Sequence, residues 1–300
     1  MRKAVAVPAG VAGLGLAGLA YASVIERNWF RLRRFDVPVL SPGQRPVRIL
    51  QISDLHLTPG RARLINWVRS LAALEPDLVV NTGDTLAHPD AIPAYLRAVE
   101  PLLDRPGLFV YGSNDLYSPV LKNPLRYLWR TSKGDNHRRH IPDLPWTELG
   151  AAMRDAGWHD MNNAIARLKI GELDVHVGGI DDSHIDHDRY DMIAGPAPTD
   201  ADLRLGIMHS PEPRNMTRFA DDGYQLLLAG HTHGGQVCIP FYGALVTNCG
   251  IDRARVKGLS RHSTAWLHVS AGLGTSPYAP ARFACPPEAT LLTLIPRLPS

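Results

Sequence analysis

The sequence predicts a layered α/β domain whose strands are buried on both faces. Apolar, strand-like runs alternate with amphipathic stretches along most of the chain, the pattern of strands sandwiched between helices. Polar residues able to bind metal stand at the carboxyl end of one run after another, where the loops of α/β sheets build sites. Bulk composition agrees: 300 residues, 45% hydrophobic and 20% charged, suffice for one large α/β domain or two small ones.

Charge and cysteine content narrow the functional classes. A formal net charge of +3 and a pI near 8.8 suit an acidic substrate or an anionic membrane surface, and are too slight to indicate a nucleic-acid partner. Cys238, Cys249 and Cys285 are odd in number and lack C-x-x-C spacing, so neither a disulfide framework nor a cysteine zinc site is indicated.

In chain order, Met1-Arg2-Lys3 precedes Ala4 to Ile25, an uncharged stretch of about 20 residues, the length that crosses a bilayer as a helix. Two readings compete for this N-terminal hydrophobic helix. One is a retained single-pass anchor in the cell membrane, preferred for its length; the other is a secretory signal cleaved after Ala20-Tyr21-Ala22. Arg27, Arg31, Arg33 and Arg34 outnumber Arg2 and Lys3, which would keep the large domain cytoplasmic, whereas cleavage would export it. The G-x-G-x-x-G string from Gly13 to Gly18 follows no strand and is set aside as a nucleotide motif. The boundaries expected are 1–26 for the anchor or signal, 27–46 for a linker, of which Pro38 to Pro46 is the clearest part, and 47–300 for the globular domain.

Within that domain Val47 to Ile52 reads as a strand, and Arg63 to Leu74 as a helix with Leu64, Ile65, Val68, Leu71 and Ala72 on one face. A strand at Leu78 to Asn81, a helix from about Ala91 to Leu103 and a strand at Leu108 to Tyr111 continue the alternation. Ser118 to Trp146 breaks it: aromatics interleaved with arginines read as a long surface loop, one that could touch lipid headgroups or cover a site. A helix follows from Thr147, an expected N-cap, to Ala156, with Gly157 just past its end. Strands then dominate, at Leu173 to Ile180, Leu203 to Met208, Gln225 to Leu228, Val237 to Ile239, Trp266 to Ser270 and Thr290 to Ile295.

The chemistry collects between these elements. Asp54 and His56, two apart at the end of the first strand, can point into one cleft by strand alternation. Gly83-Asp84, Gly112-Ser113-Asn114-Asp115, His209 and Gly230-His231-Thr232-His233 each follow a later strand. Two carboxylates, four imidazoles and an amide make up about the donor set for two divalent ions sharing a carboxylate. Asp181 and Asp182 follow another strand, which could place them near the cleft, but a turn role is preferred.

This series resembles the calcineurin-like metallophosphoesterase superfamily across nearly all of the globular part. Gly234-Gly235-Gln236, Gly272-Leu273-Gly274-Thr275-Ser276, Arg282 and Pro286-Pro287-Glu288 resemble its bacterial membrane-associated phosphodiesterase branch. The resemblance implies a four-layer α/β/β/α sandwich with a dinuclear centre of Mn, Fe or Zn between the sheets. By that likeness Asp54, His56 and His233 hold the first metal, Asp84 bridges, and Asn114, His209 and His231 hold the second.

The sequence departs from the family at one point. Where the family has Gly-Asn-His-Asp/Glu, this chain has Gly112-Ser113-Asn114-Asp115. Read without a gap, Ser113 replaces the ligand asparagine; read with one residue slipped in, Asn114 remains the ligand and Asp115 falls at the catalytic histidine position. The slip is preferred, because an amide oxygen is a better metal donor than a neutral hydroxyl. The reaction implied is metal-assisted hydrolysis of a phosphoester, chiefly a phosphodiester, by a metal-bridging hydroxide, with Asp84, Asn114 and Asp115 in the catalytic set and Arg282 on substrate phosphate. A lipid-linked or cell-envelope phosphodiester fits the branch. The missing histidine leaves two rivals standing: a non-catalytic metal-binding scaffold of the same fold, and a lipid-surface binding module built on Ser118 to Trp146.

Overall fold

The computed structural model describes residues 15–121 and 141–297. Fourteen strands and five helices make the frame. In chain order they are β1 (Arg31–Leu40), β2 (Val47–Ile52), α1 (Ala62–Ser70), β3 (Leu78–Asn81), α2 (Ile92–Val99), β4 (Gly107–Phe109) and the single turn α3 (Ser113–Leu116). Then come α4 (Trp146–Asp155), β5 (His159–Asp160), β6 (Ala164–Ile170), β7 (Leu173–Gly179), β8 (Leu203–Ile207) and α5 (Pro213–Asp221). The chain closes with β9 (Leu226–Ala229), the small ribbon of β10 (Cys238–Ile239) and β11 (Gly243–Ala244), β12 (Gly258–His262), β13 (Ala265–Val269) and β14 (Glu288–Pro296).

Alternation along the strands builds two mixed sheets that share one core. The first runs β1-β14-β2-β3-β4-β5 and the second β12-β13-β9-β8-β7-β6. Successive side chains of a strand face opposite ways, so on β2 Ile49 points at the second sheet while Leu50 points at the helices. Ile49, Leu78, Val80 and Leu108 accordingly pack between the sheets on Val177, Leu205, Ile207 and Leu228. Helices α1, α2 and α4 cover the outer face of the first sheet through Leu64, Val68, Tyr95, Ala98, Leu149 and Met153. Helix α5 covers the second through Met216 and Phe219. Because β2, β3, β4 and β5 are mutually parallel, as are β13, β9, β8 and β7, their carboxyl ends gather each sheet's loops at one end.

The helix expected over Arg63 to Leu74 is α1 followed by a 3₁₀ turn, Leu71–Leu74, ended by Glu75 in the left-handed region. Helix α4 starts at Trp146 with no side-chain cap; Thr147 Oγ1 bonds Glu148 and caps nothing. Its other end is as expected, with Gly157 at φ +86° donating to Arg154 O.

Two N-terminal expectations change. Residues 31–40, assigned to a linker, form β1, paired in parallel with β14 over nearly its whole length, so this segment belongs to the domain. The hydrophobic helix is found only in part: residues 15–20 are helical and lead into a π turn, Tyr21–Ile25, while residues 1–14 lie outside the described residues. Among the described residues no helix is long and apolar enough to cross a membrane. Most of the segment Ser118 to Trp146, assigned to a surface loop, also lies outside them, at 122–140.

One polar seam crosses the core. Gln51 on β2, wholly buried, donates to Thr82 Oγ1 and Ala229 O and accepts from His268 Nδ1 on β13, at 3.1, 2.9 and 2.7 Å, tying the sheets together. His268 Nε2 is buried with no partner, and burial pushes the imidazole down to about 3. A histidine held neutral in the fold but titrating near 6.5 when unfolded binds more protons unfolded, so stability falls as pH drops below about 6.5. Between about pH 6.5 and 5 the native chain is expected to lose roughly 2 kcal/mol more than His268→Asn, measured by denaturant unfolding at each pH. Parallel losses in the two proteins would refute this.

Candidate metal centre

Every donor singled out in the sequence sits in a loop at the carboxyl end of a central strand. Asp54 and His56 follow β2, Asp84 follows β3, Asn114 follows β4, His209 follows β8, and His231 and His233 follow β9. Strand alternation does not aim the first pair, because β2 stops at Ile52. Instead Asp54 (φ 50°) and His56 (φ 41°) lie in the left-handed region, as do Asp84, His231 and His233. Left-handed backbone is costly for residues with a Cβ and collects at functional sites, where the surroundings hold it. Here those surroundings are backbone bonds, Asp54 N to Gly83 O, His56 N to Asp84 O and Leu57 N to Thr85 O, which lace two loops side by side.

Two glycines allow the loops to close on one another. At Gly83 (φ +92°) a Cβ would stand 2.7 Å from Gly112 N and 2.9 Å from His209 Nδ1; at Gly112 it would overlap Asp84 Oδ1.

The side chains converge on Asp84. Its Oδ2 lies 3.4 Å from His56 Nε2, 3.5 Å from His209 Nε2 and 2.8 Å from Asn114 Nδ2. His56 Nε2 faces His233 Nε2 at 3.0 Å, and His233 Nε2 is 3.5 Å from Asp54 Oδ1. Donor atoms of Asp54, His56, Asp84 and His233 all fall within 4.8 Å of one another. On the other side of Asp84, His231 Nδ1 stands 3.3 Å from His209 Nε2. Two histidines are aimed by backbone carbonyls: His209 Nδ1 reaches Thr82 O at 2.7 Å and His231 Nε2 reaches Asn248 O at 3.2 Å, leaving the opposite ring nitrogen for the cluster.

These spacings fit metal. Two donors at about 2.1 Å from one cation, held at octahedral or tetrahedral angles, stand roughly 3.0 to 3.4 Å apart, close to the separations found. Protonation states point the same way for three of the four imidazoles; burial would lower His209 too, but Asp84 and Asp182 hold it well above its ordinary value. Burial holds His56, His231 and His233 below their ordinary value, so they present lone pairs at neutral pH. Burial would raise Asp84, but His209, with His56 and the Asn114 amide, overcomes it and keeps this carboxyl well below its usual range. Burial lifts Asp54 to about 6, and Asp115 and Asp182 to about 7. Four carboxyls enclosed together are short of positive charge, which bound cations would supply.

Three sequence assignments are corrected or refined. Asp115 is not free to serve a leaving group: it is buried, and accepts from Thr85 N and Leu86 N on one oxygen and Gly112 N on the other. Arg282, expected on substrate phosphate, is fully buried and spends its donors on the carbonyls of Ala271, Gly272, Gly274, His233 and Cys285, so it braces loops. Asn114 donates its side-chain Nδ2 to Asp84 Oδ2 at 2.8 Å, while the Ser113 backbone N–H donates to Asp182.

Sequence reasoning missed one neighbour, His184, and placed another near the cleft only as its second choice. Asp182, read first as a turn residue, accepts from Ser113 N and His184 N. The His184 ring packs on His231 with centroids 4.6 Å apart. The available signal was position, since both follow the carboxyl end of β7 as the other donors follow their strands.

Residues 47–235, more than half of the chain, match the family described as calcineurin-like phosphoesterase. The chain belongs to that family. It is therefore a metallophosphoesterase, a hydrolase of phosphoric esters. Its similar proteins include the uncharacterized metallophosphoesterase YkuE of Bacillus subtilis, 25% identical over 96% of this chain and 93% of that protein. Phosphodiesterase YaeI of Escherichia coli is 25% identical over 93% of each chain. UDP-2,3-diacylglucosamine pyrophosphatase LpxG of Chlamydia trachomatis is 26% identical over 91% of each.

Proposed function

We propose that the enzyme hydrolyses phosphodiester-type bonds at a pair of divalent cations, with Asp54, His56 and His233 on one, Asn114, His209 and His231 on the other, and Asp84 between them. The observation that carries this reading is the single oxygen, Asp84 Oδ2, within 3.5 Å of donors from both groups. When bound, such a pair supplies a water nucleophile active near neutral pH and charge stabilisation for the phosphoryl oxygens. The chain's own part is to fix the donors, through the carbonyls behind His209 and His231 and the amides behind Asp54 and Asp84. The names of YaeI and LpxG support a phosphodiester or diphosphate substrate.

A lipid-bearing substrate is the second part of the reading. The ribbon β10–β11, which begins five residues after His233, carries Ile239, Phe241 and Tyr242 exposed, with Val237 and Leu245 exposed at its two ends. Apolar side chains of this size, close in sequence to a candidate ligand, suit an acyl chain.

With Asp115 engaged by backbone amides, no carboxyl at the motif position is free to protonate the leaving group. General acid catalysis contributes roughly 10²- to 10⁴-fold, so aryl phosphodiesters should turn over at least about 10²-fold faster than alkyl ones. The measurement is steady-state hydrolysis of both with manganese supplied and withdrawn. Equal rates would refute the missing acid, and metal-independent cleavage would refute the cation pair.

A further inference from the structure

The opposite end of the sandwich carries a second polar site. Arg204 stands near the start of β8, Gln225 just before β9 and Trp266 near the start of β13, whereas the donors of the metal centre follow the other ends of β8 and β9. A five-residue strand is roughly 16 Å long, so the two sites are separated by the thickness of the sheet along its strands. At this end a cleft of about 540 Å³ is lined by Arg204, Arg261, Arg297, Trp266, Tyr224 and Gln225, among others, and by no acidic side chain. Its volume lies within the range of small-molecule sites.

The charge in the cleft is uncompensated and pre-arranged. None of the three arginines forms an ion pair among the described residues. Arg204 Nε is fixed on Gly223 O at 2.9 Å, which leaves its terminal nitrogens unspent. The Arg261 guanidinium lies over the Trp266 ring, 4.6 Å from its centroid, so it is held against the wall by cation–π attraction. Arg297, exposed, follows β14, and its backbone N–H donates to Leu40 O. Burial, and then Arg297 itself, depress Arg204, so these two cations feel one another. Three like charges gathered with no counter-ion among the described residues cost free energy that a bound anion would return.

We propose that this cleft binds a phosphate-bearing ligand remote from the metal centre. Guanidinium forks match phosphate oxygens, and three of them suit a group carrying two or three negative charges better than a lone carboxylate. Trp266 offers a flat apolar wall to whatever the phosphate is attached to. A soluble organic phosphate and a phosphomonoester lipid headgroup share this chemistry, and the test separates them.

The test uses the full-length, metal-loaded chain and R261A/R297A, whose changes lie outside the metal centre and at exposed positions. Hydrolysis of an aryl phosphodiester should be the same in both, which confirms that the variant is folded. In calorimetry with methylene diphosphonate, which cannot be hydrolysed, the native chain should take up one more equivalent than the variant. Losing each charged hydrogen-bonding group weakens binding about tenfold or more. Equal soluble uptake, with native but not variant chain sedimenting with phosphatidate vesicles and neither with phosphatidylcholine, would assign the lipid source. Native and variant chains behaving alike in both assays would overturn the proposal.

Discussion

Asp84→Asn is expected to lower phosphodiester turnover roughly 10³-fold or more, the equivalent of about 4 kcal/mol of transition-state stabilisation. The reason is geometric. Asp84 Oδ2 is the one oxygen shared by both donor groups, at 3.4 Å from His56 and 3.5 Å from His209, so an amide there removes negative charge from both at once. Metal content by elemental analysis should fall from near two per chain to one or fewer, and turnover should not recover at saturating manganese. Asn114→Ala should cost less, because Asn114 reaches the cluster through Asp84, its other side-chain bond being to Ser113 Oγ, and can disturb one side alone. A fully active Asp84→Asn enzyme holding two metals would remove the basis of the cation-pair reading.

How much of this was legible in the sequence follows from what each residue touches. The central strands, β2, β3, β4, β7, β8, β9, β13 and β14, are buried on both faces and read as apolar runs. Of the strands that escaped notice, β1, β5, β6 and β12 are the four edges of the two large sheets, and β11 is half of the small ribbon. Edge strands carry charge and proline to resist further pairing, and β1 shows both: Arg31 and Arg33 stand on one face, Arg34 and Asp36 on the other, and Pro38 interrupts the run. Reading β1 as linker mistook edge protection for lack of structure. The ligands were legible because each stands where an apolar run ends, although the means of aiming Asp54 and His56 was not. Their left-handed backbone depends on loops more than 20 residues away, such as that of Gly83, and no local pattern announces it.

Arg282 shows the same limit at a single residue, since from sequence an arginine in a phosphoesterase invites a role on phosphate. Its surroundings predict a different outcome: Arg282→Ala should destabilise the fold by about 3 to 5 kcal/mol, because the carbonyls of Ala271, Gly272 and Gly274 would lose a buried charged donor. The same guanidinium reaches His233 O and Cys285 O, so it links the loop bearing a candidate ligand to the segment after β13. Arg282→Lys should recover only part of the loss, since one ammonium cannot span the carbonyls that a planar fork reaches together. Denaturant unfolding of the chelated protein reads this directly, without metal binding to obscure it. An arginine acting on substrate would give the opposite signature, a raised KM with unchanged unfolding midpoint. That result for Arg282→Lys would return the residue to the active site and would mean that the carbonyl cage opens when substrate binds.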